Sequence, residues 1–249
     1  MSTADVDRRW LWRFHPSPDA RVTLICLPHA GGSASFFFPV SAALTPDVDV
    51  LAVQYPGRQD RRHERCIDNI PELAERVFDV LPAGDGPIAL FGHSMGALLG
   101  FELARMIEKA ARGRLVHLFV SGRRAPSRPR EEYNYLLSDD DLIAQIRALN
   151  GTDSRVLDDD ELVRLALPAI RADYRAAETY VYRQGAPLSC PITVFAGRDD
   201  PKATVEESQA WSEHTTGDFR IHVYPGGHFF LIPHRQPILD IISLALTKG

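Results

Sequence analysis

Cysteine is scarce in this chain: Cys26, Cys66 and Cys190 are the three among 249 residues, and no C-x-x-C spacing occurs. That excludes a disulfide framework and a cysteine-rich zinc module. Cys26 and Cys190 lie in or beside apolar, strand-like runs and read as buried thiols. Long hydrophobic stretches are missing too, since no run approaches the ~20 residues that span a bilayer. The first twenty residues, MSTADVDRRWLWRFHPSPDA, carry charge and tryptophan where a secretory signal has an apolar core. A cytoplasmic protein with no membrane contact is therefore expected. Nor is there an excess of positive charge: Lys+Arg 28 against Asp+Glu 33 gives a net −5, which argues against a nucleic-acid binder. The histidines lack H-E-x-x-H or comparable ligand spacing, and no G-x-x-x-x-G-K-[ST] loop occurs, so neither a metal nor a nucleotide cofactor is expected. Gly84-Asp85-Gly86 reads as a loop.

What is present is an ordinary globular composition, 45% hydrophobic and 24% charged, enough for one large core. Short apolar runs rich in β-branched residues alternate with helical patterns, the signature of βαβ units around a mostly parallel sheet. The strand candidates are 21–27, 48–55, 87–92, 115–122, 191–197 and 219–224. A period-2 pattern at Trp10, Trp12 and Phe14 suggests an edge strand near the N-terminus. Helical patterns fall at about 34–44, 69–81, 95–112, 204–214 and 235–247. The alternation breaks once, between Gly122 and Cys190, where two helices are expected at about 138–149 and 158–183. Ser138 with Asp141 is a capping-box variant at the start of the first. The second carries Leu162, Leu165, Ala166, Ala169 and Ile170 at helical spacing. Such an insertion is expected to sit as a lid over the carboxyl ends of the strands, where ligands bind in open α/β folds. The expected division is a core of 1–124 and 186–249 and a helical lid of 125–185.

The segment PIALFGHSMGALLGFELA holds the central motif. Gly92-His93-Ser94-Met95-Gly96 fits G-x-S-x-G, with an apolar strand before it and a helix after it, as the nucleophile elbow of an α/β-hydrolase fold requires. A serine hydroxyl is a poor nucleophile until a base takes its proton, so an acid and then a histidine should follow in the chain. PITVFAGRDDP supplies acids just after a strand: Asp200, stiffened by Pro201, is preferred, with Asp199 as the alternative. Of the four later histidines, His222 lies inside a strand and His214 reads as a surface residue. His228 follows the Pro225-Gly226-Gly227 turn out of the last strand, ahead of His234, and is the candidate base. Two backbone N–H groups should form an oxyanion hole, one from Met95 and one from Ala30 in the loop CLPHAGGSASFF, with Gly31 as second choice. His29, before the serine, reads as structural or as lining the pocket.

With those residues in view, the chain resembles the type II thioesterases, the free-standing editing enzymes of polyketide and nonribosomal peptide synthases. The resemblance rests on LPHAGGSA, QYPGRQDR (54–61), FGHSMGALLGFELAR (91–105), LPAIRADYRAAETY (167–180), FAGRDDP (195–201) and PGGHFF (225–230), nearly end to end. It implies Ser94, Asp200 and His228 as the triad, a mobile lid in about 125–185, and removal of aberrant acyl units from the phosphopantetheine arm of acyl or peptidyl carrier proteins. No cofactor of the chain's own is implied.

Carrier proteins are typically acidic, so Arg123, Arg124, Arg128 and Arg130, or Arg58, Arg61, Arg62 and Arg65, are candidates for steering them. Tyr133 and Tyr135 are candidates for the pocket lining, while Phe36 and Phe37 read as core. A small-molecule carboxylesterase or lipase uses the same machinery. A thioesterase domain of a larger synthase and a non-catalytic hydrolase-fold binding protein are the further alternatives. A compact chain starting at Met1 without a carrier segment suggests a stand-alone protein, and with no coiled coil or obvious exposed apolar stripe a monomer is expected.

Overall fold

The computed structural model describes residues 9–82, 84, 86–149 and 160–247. Seven strands form one sheet: β1 (Leu11–Trp12), β2 (Val22–Leu27), β3 (Val48–Val53), β4 (Pro87–His93), β5 (Arg114–Ser121), β6 (Ile192–Gly197) and β7 (Phe219–Tyr224). Their spatial order is β1-β3-β2-β4-β5-β6-β7. Every neighbouring pair is parallel except β1 with β3. All six residues of β3 and of β6 are buried, as expected for strands covered on both faces.

One face is covered by α2 (Ile70–Asp79) and α3 (Met95–Ala110), whose buried residues join Ile25, Leu27, Leu90 and Leu118 of the sheet. The other lies under α1 (Phe38–Leu44) and α7 (Arg235–Thr247), against Leu24, Cys26, Phe91 and Phe195. The expected helix at 34–44 begins as a 3-10 turn, Ala34–Phe37. That at 204–214 divides into α6 (Val205–Gln209) and a 3-10 turn, Ala210–His214. Thr204 and Glu207 close a reciprocal capping box ahead of α6.

The expected N-terminal edge strand is present as β1, but its period-2 pattern needs correction. β1 has two residues, and Trp10 and Trp12 lie on opposite faces: Trp10 packs in the first core and Trp12 against the second. Residues 9–10 are helical, which breaks the period-2 alternation before the strand begins.

Between β5 and β6 the structure has the helices α4 (Asp139–Ala148) and α5 (Asp160–Glu178). The expected start of the second helix at 158 lies outside the described residues. Ser138 Oγ accepts the Asp141 N–H at 3.2 Å, the N-cap half of the expected capping box, and donates to the Asp141 carboxylate at 2.6 Å. The apolar stripe of α5 differs in part from the one expected. Val163, Leu167 and Ile170, at i, i+4 and i+7, pack with Leu142, Ile143 and Ile146 of α4 into a separate small core. Leu162 and Leu165 are 47% and 72% exposed. Of the expected set, Ile170 and Ala166 do join that core and Ala169 is buried; contact with α4 places Val163 and Leu167 inward in place of Leu162 and Leu165.

Candidate active site

The parallel strands deliver their carboxyl ends to one edge, and β2 and β4 lie side by side there although β3 intervenes in sequence. That is the topological switch point at which open α/β sheets bind ligands. Ser94 sits there between β4 and α3 with φ 55° and ψ −115°. A non-glycine residue held in that region stores roughly 1–3 kcal/mol of strain. Its N–H donates to the Ser121 carbonyl at 2.8 Å, which ties the turn to the neighbouring strand. The flanking glycines are a matter of space: a Cβ on Gly92 would lie 2.1 Å from the Gly96 carbonyl oxygen, and one on Gly96 would lie 2.0 Å from that of Leu27.

His228 and Asp200 come to the same edge. His228 Nε2 is 2.9 Å from Ser94 Oγ, and its Nδ1 lies 3.0 and 2.9 Å from the two Asp200 oxygens. With the proton on Nδ1 donated to the carboxylate, Nε2 is free to accept from the serine hydroxyl. Both His228 and Asp200 are buried, and Asp200 Oδ1 also accepts the Lys202 N–H at 2.8 Å. Asp199 is exposed and takes the Gly226 N–H at 3.3 Å, while both oxygens facing the imidazole Nδ1 belong to Asp200. His222 lies in β7 against Phe195, and His234 stacks on Tyr224. His214, expected at the surface, is buried: its Nε2 meets Ser127 Oγ at 2.9 Å, and its ring packs against Phe101, Tyr182 and Trp211. The polar residues around it in sequence concealed that aromatic nest.

Two more imidazoles back the site. His93 packs against His228 with ring centroids 5.0 Å apart, and His29 lies 5.8 Å from His93. Burial, then the neighbouring His228, and then Arg58, push His29 down to about 3. Burial, with His228 and His29 beside it, holds His93 well below the ordinary histidine range. Both are neutral at pH 7.

The loop after β2 is tied to the helical insertion. Gly31 N–H donates to Asp173 Oδ2 at 2.8 Å, so this amide is already engaged and points away from an oxyanion role. Ala30 and Met95 remain as the candidate donors, and both line the cavity beside Ser94. Asp173 also receives Arg58 as a fork, Nη1 to Oδ2 at 2.6 Å and Nη2 to Oδ1 at 2.8 Å, while Arg58 Nη1 reaches the Gly32 carbonyl at 3.1 Å. Burial alone would lower the Arg58 guanidinium; the charge and hydrogen bonds of Asp173 raise it instead. This pair joins QYPGR to RADYRAAETY, and the sequence reading did not identify it. The available signal was an acid, Asp173, three residues beyond Ile170 on the inward stripe of α5.

The cavity of about 90 Å³ is lined by Ser94, His228, Met95, Ala30 and His29 at one end, and by Ile146, Leu149, Val163, Ala166 and Ile170 of the insertion. Its aromatic members are Tyr174 and Phe229; Tyr133 and Tyr135 are not among the lining residues described, and Tyr133 is exposed. Phe37 is fully buried and Phe36 packs partly buried against the same core. The arginine clusters do not form open positive faces. Arg124 is buried against Glu132, Arg128 pairs with Glu213, and Arg130 pairs with Glu207. Arg61 is buried between Glu64 and the Trp10 ring. Arg62 and Arg65 are exposed. Among the described residues no group of three or more His, Cys, Asp or Glu is placed to hold a metal ion, and no helix is long and apolar enough to cross a membrane.

Residues 22–246 match the family model of the thioesterase domain. Over 244 residues the chain is 50% identical to thioesterase PikA5 of Streptomyces venezuelae, across 96% of this chain and 87% of the relative. It is 39% identical over 240 residues to the gramicidin S biosynthesis protein GrsT of Aneurinibacillus migulanus, across 96% and 94% of the two chains. The type II thioesterase BorB from the borrelidin biosynthetic cluster superposes with a TM-score of 0.89 at 56% identity, covering 95% of this chain and 97% of that one. RedJ, the thioesterase of the prodiginine pathway in Streptomyces coelicolor, superposes with a TM-score of 0.86 at 40% identity, covering 93% and 89%. The fold, the elbow serine and these relatives agree: the chain belongs to the thioesterase family, as a serine hydrolase of the α/β-hydrolase fold.

Proposed function

We propose that this enzyme frees synthase carrier proteins of acyl groups by cleaving the thioester to the phosphopantetheine arm, with Ser94, His228 and Asp200 as its triad. The observation that carries the reading is the continuous line Asp200–His228–Ser94 at hydrogen-bond distance, opening into a cavity with apolar walls. His228 Nε2 takes the serine proton as Oγ attacks the thioester carbonyl. Ala30 and Met95 N–H groups receive the oxyanion of the tetrahedral intermediate. Collapse expels the carrier thiol, which leaves readily because thiols are far stronger acids than alcohols. His228 then activates water to hydrolyse the acyl-serine, and Asp200 holds the imidazole in its working tautomer throughout. The neutral His93 and His29 suit this cycle, since they add no positive charge beside a histidine that must itself become cationic.

The carrier as partner follows from relatives such as PikA5 and BorB, whose names place them as thioesterases, the latter in a biosynthetic cluster. Arg62 and Arg65, exposed near the end of the QYPGRQDR segment, are the arginines of the two clusters still suited to meet an acidic carrier. The free thiols Cys26, Cys66 and Cys190 fit a reducing compartment, the cytoplasm. The test is hydrolysis of an acylated carrier against an oxygen ester of the same acyl group. Faster loss of the thioester, abolished by prior fluorophosphonate labelling, supports the reading. Preference for the oxygen ester would mark a carboxylesterase instead.

A further inference from the structure

The cavity has an apolar wall from the insertion and, facing it, a charged group in which nearly every member is paired. Glu132 is held by Arg124 Nη2 at 2.5 Å and Lys202 Nζ at 2.8 Å. Burial pushes its carboxyl up, but Lys202 and Arg124 bring it down to about 2. Glu178 accepts from Asn134 Nδ2 at 2.6 Å and from the Tyr135 N–H at 3.2 Å. Arg123 differs. Its guanidinium makes one hydrogen bond, from Nη2 to the Ala177 carbonyl at 3.3 Å, and its Nε is sealed from solvent without an acceptor. Among the described residues it forms no ion pair.

Its place is fixed. Arg123 follows Gly122 at the end of β5, where an added Cβ on the glycine would lie 3.5 Å from His228 Cε1. Trp211 Nε1 donates to the Arg123 carbonyl at 2.8 Å and pins the backbone. Burial, and then Arg124 beside it, lower the guanidinium to about 9, so it keeps its charge at pH 7. Of the charged residues that line the cavity, Arg123 and Lys202 stand against Glu132 and Glu178; Glu132 is taken up by Lys202 and Arg124, and Glu178 by Asn134 and the Tyr135 N–H, so neither carboxylate contacts Arg123 directly. A half-buried guanidinium with no carboxylate in direct contact is poorly satisfied, and a planar fork with free donors is shaped for two oxygens. A plain aliphatic acyl chain would leave that fork bare.

We propose that Arg123 is the binding point for a carboxylate carried by the acyl group, and that thioesters of dicarboxylic acids are therefore among the substrates. This deepens the thioesterase reading of Ser94 and rests on it. The test uses N-acetylcysteamine thioesters of dicarboxylic acids of increasing length, each paired with the methyl ester of its distal carboxylate. The quantity read is the ratio of kcat/KM, free acid over methyl ester, in the wild type, Arg123→Lys and Arg123→Gln. For at least one length the ratio should fall about 10- to 100-fold in Arg123→Gln, the range for losing a charge-assisted hydrogen-bonded pair, with Arg123→Lys between. An unchanged ratio at every length overturns the proposal. Should Arg123→Gln fail to fold, the wild type decides: the methyl ester must be the poorer substrate by about tenfold or more at one length, the low end of that range. Methyl esters turned over as well as the acids at every length would refute it. Loss of turnover even with a propionyl thioester would bring down the thioesterase reading itself, a result distinct from either.

Discussion

Two regions meet at the cavity, and they are held in different ways. The proposed triad stands on strand tips: Ser94, Asp200 and His228 follow β4, β6 and β7, whose backbones are locked into one sheet between two cores. The insertion has a small core of its own. Its buried polar tie to the loop after β2 is the Arg58–Asp173 pair with the Gly31 amide. The site's chemistry is thus positioned by the sheet, while the shape of the acyl cavity depends on α4 and α5. Breaking each region separately should give different losses.

The largest loss is expected at the strand tips. Ser94→Ala should reduce thioester turnover by roughly 10⁴-fold or more while thermal unfolding stays close to wild type, since alanine keeps the Cβ and the change removes no core packing. Stopped-flow thiol release and calorimetry read the two effects. Next comes the tie between the regions. Asp173→Ala leaves Arg58 buried without its counter-charge, and breaking a buried pair this way costs about 3–5 kcal/mol of stability. Because Gly31 also loses its acceptor, kcat should fall more than KM rises; a loss of stability with unaltered kcat would mean that the pair is structural only.

A smaller effect comes from pH. His29 and His93 are held neutral in the folded chain, with His29 down from 6.5 to about 3, so the unfolded state binds protons that the folded state refuses. Stability is then full above about pH 6.5 and declines as pH falls toward the folded value, by about 2 kcal/mol for His29 between pH 6.5 and 5. Urea midpoints across that range should drop, and His29→Gln should flatten the slope. The smallest effect separates the outward and inward leucines of α5: Leu165→Gln should stay within about 0.5 kcal/mol, whereas Leu167→Ala, in the small core, should cost about 2–5 kcal/mol.

The same contrast explains what the sequence made legible. Strand positions were readable because buried parallel strands are near-continuous apolar runs, and the elbow because Gly92 and Gly96 are demanded by contacts near 2 Å. Chain order and local turns then pointed to Asp200 and His228, which the structure brings to Ser94. The insertion was harder. Its helices were expected, but periodicity could not tell that Val163 and Leu167 rather than Leu162 and Leu165 would face inward on α5, a choice made by a partner helix. Arg58 and Asp173 stand far apart in sequence, and nothing local marks them as a pair. Likewise Arg123, Arg124, Arg128 and Arg130 looked like one positive face, because Glu207 and Glu213, which neutralise two of them, come from elsewhere in the chain, and Glu132 in the same segment meets Arg124 only through the fold. Local pattern reveals what a strand or turn imposes; it is silent where a distant partner decides.

The central claim is that His228 draws the proton from Ser94 so that the serine itself takes the acyl group. The direct measurement is rapid-quench mass spectrometry of the Ser94 peptide after mixing the enzyme with an acylated carrier. The account predicts a transient mass increase equal to the acyl group on that peptide, lost when His228 is replaced by Ala. Full turnover with no adduct on Ser94, or acylation at an undiminished rate in His228→Ala, would contradict it.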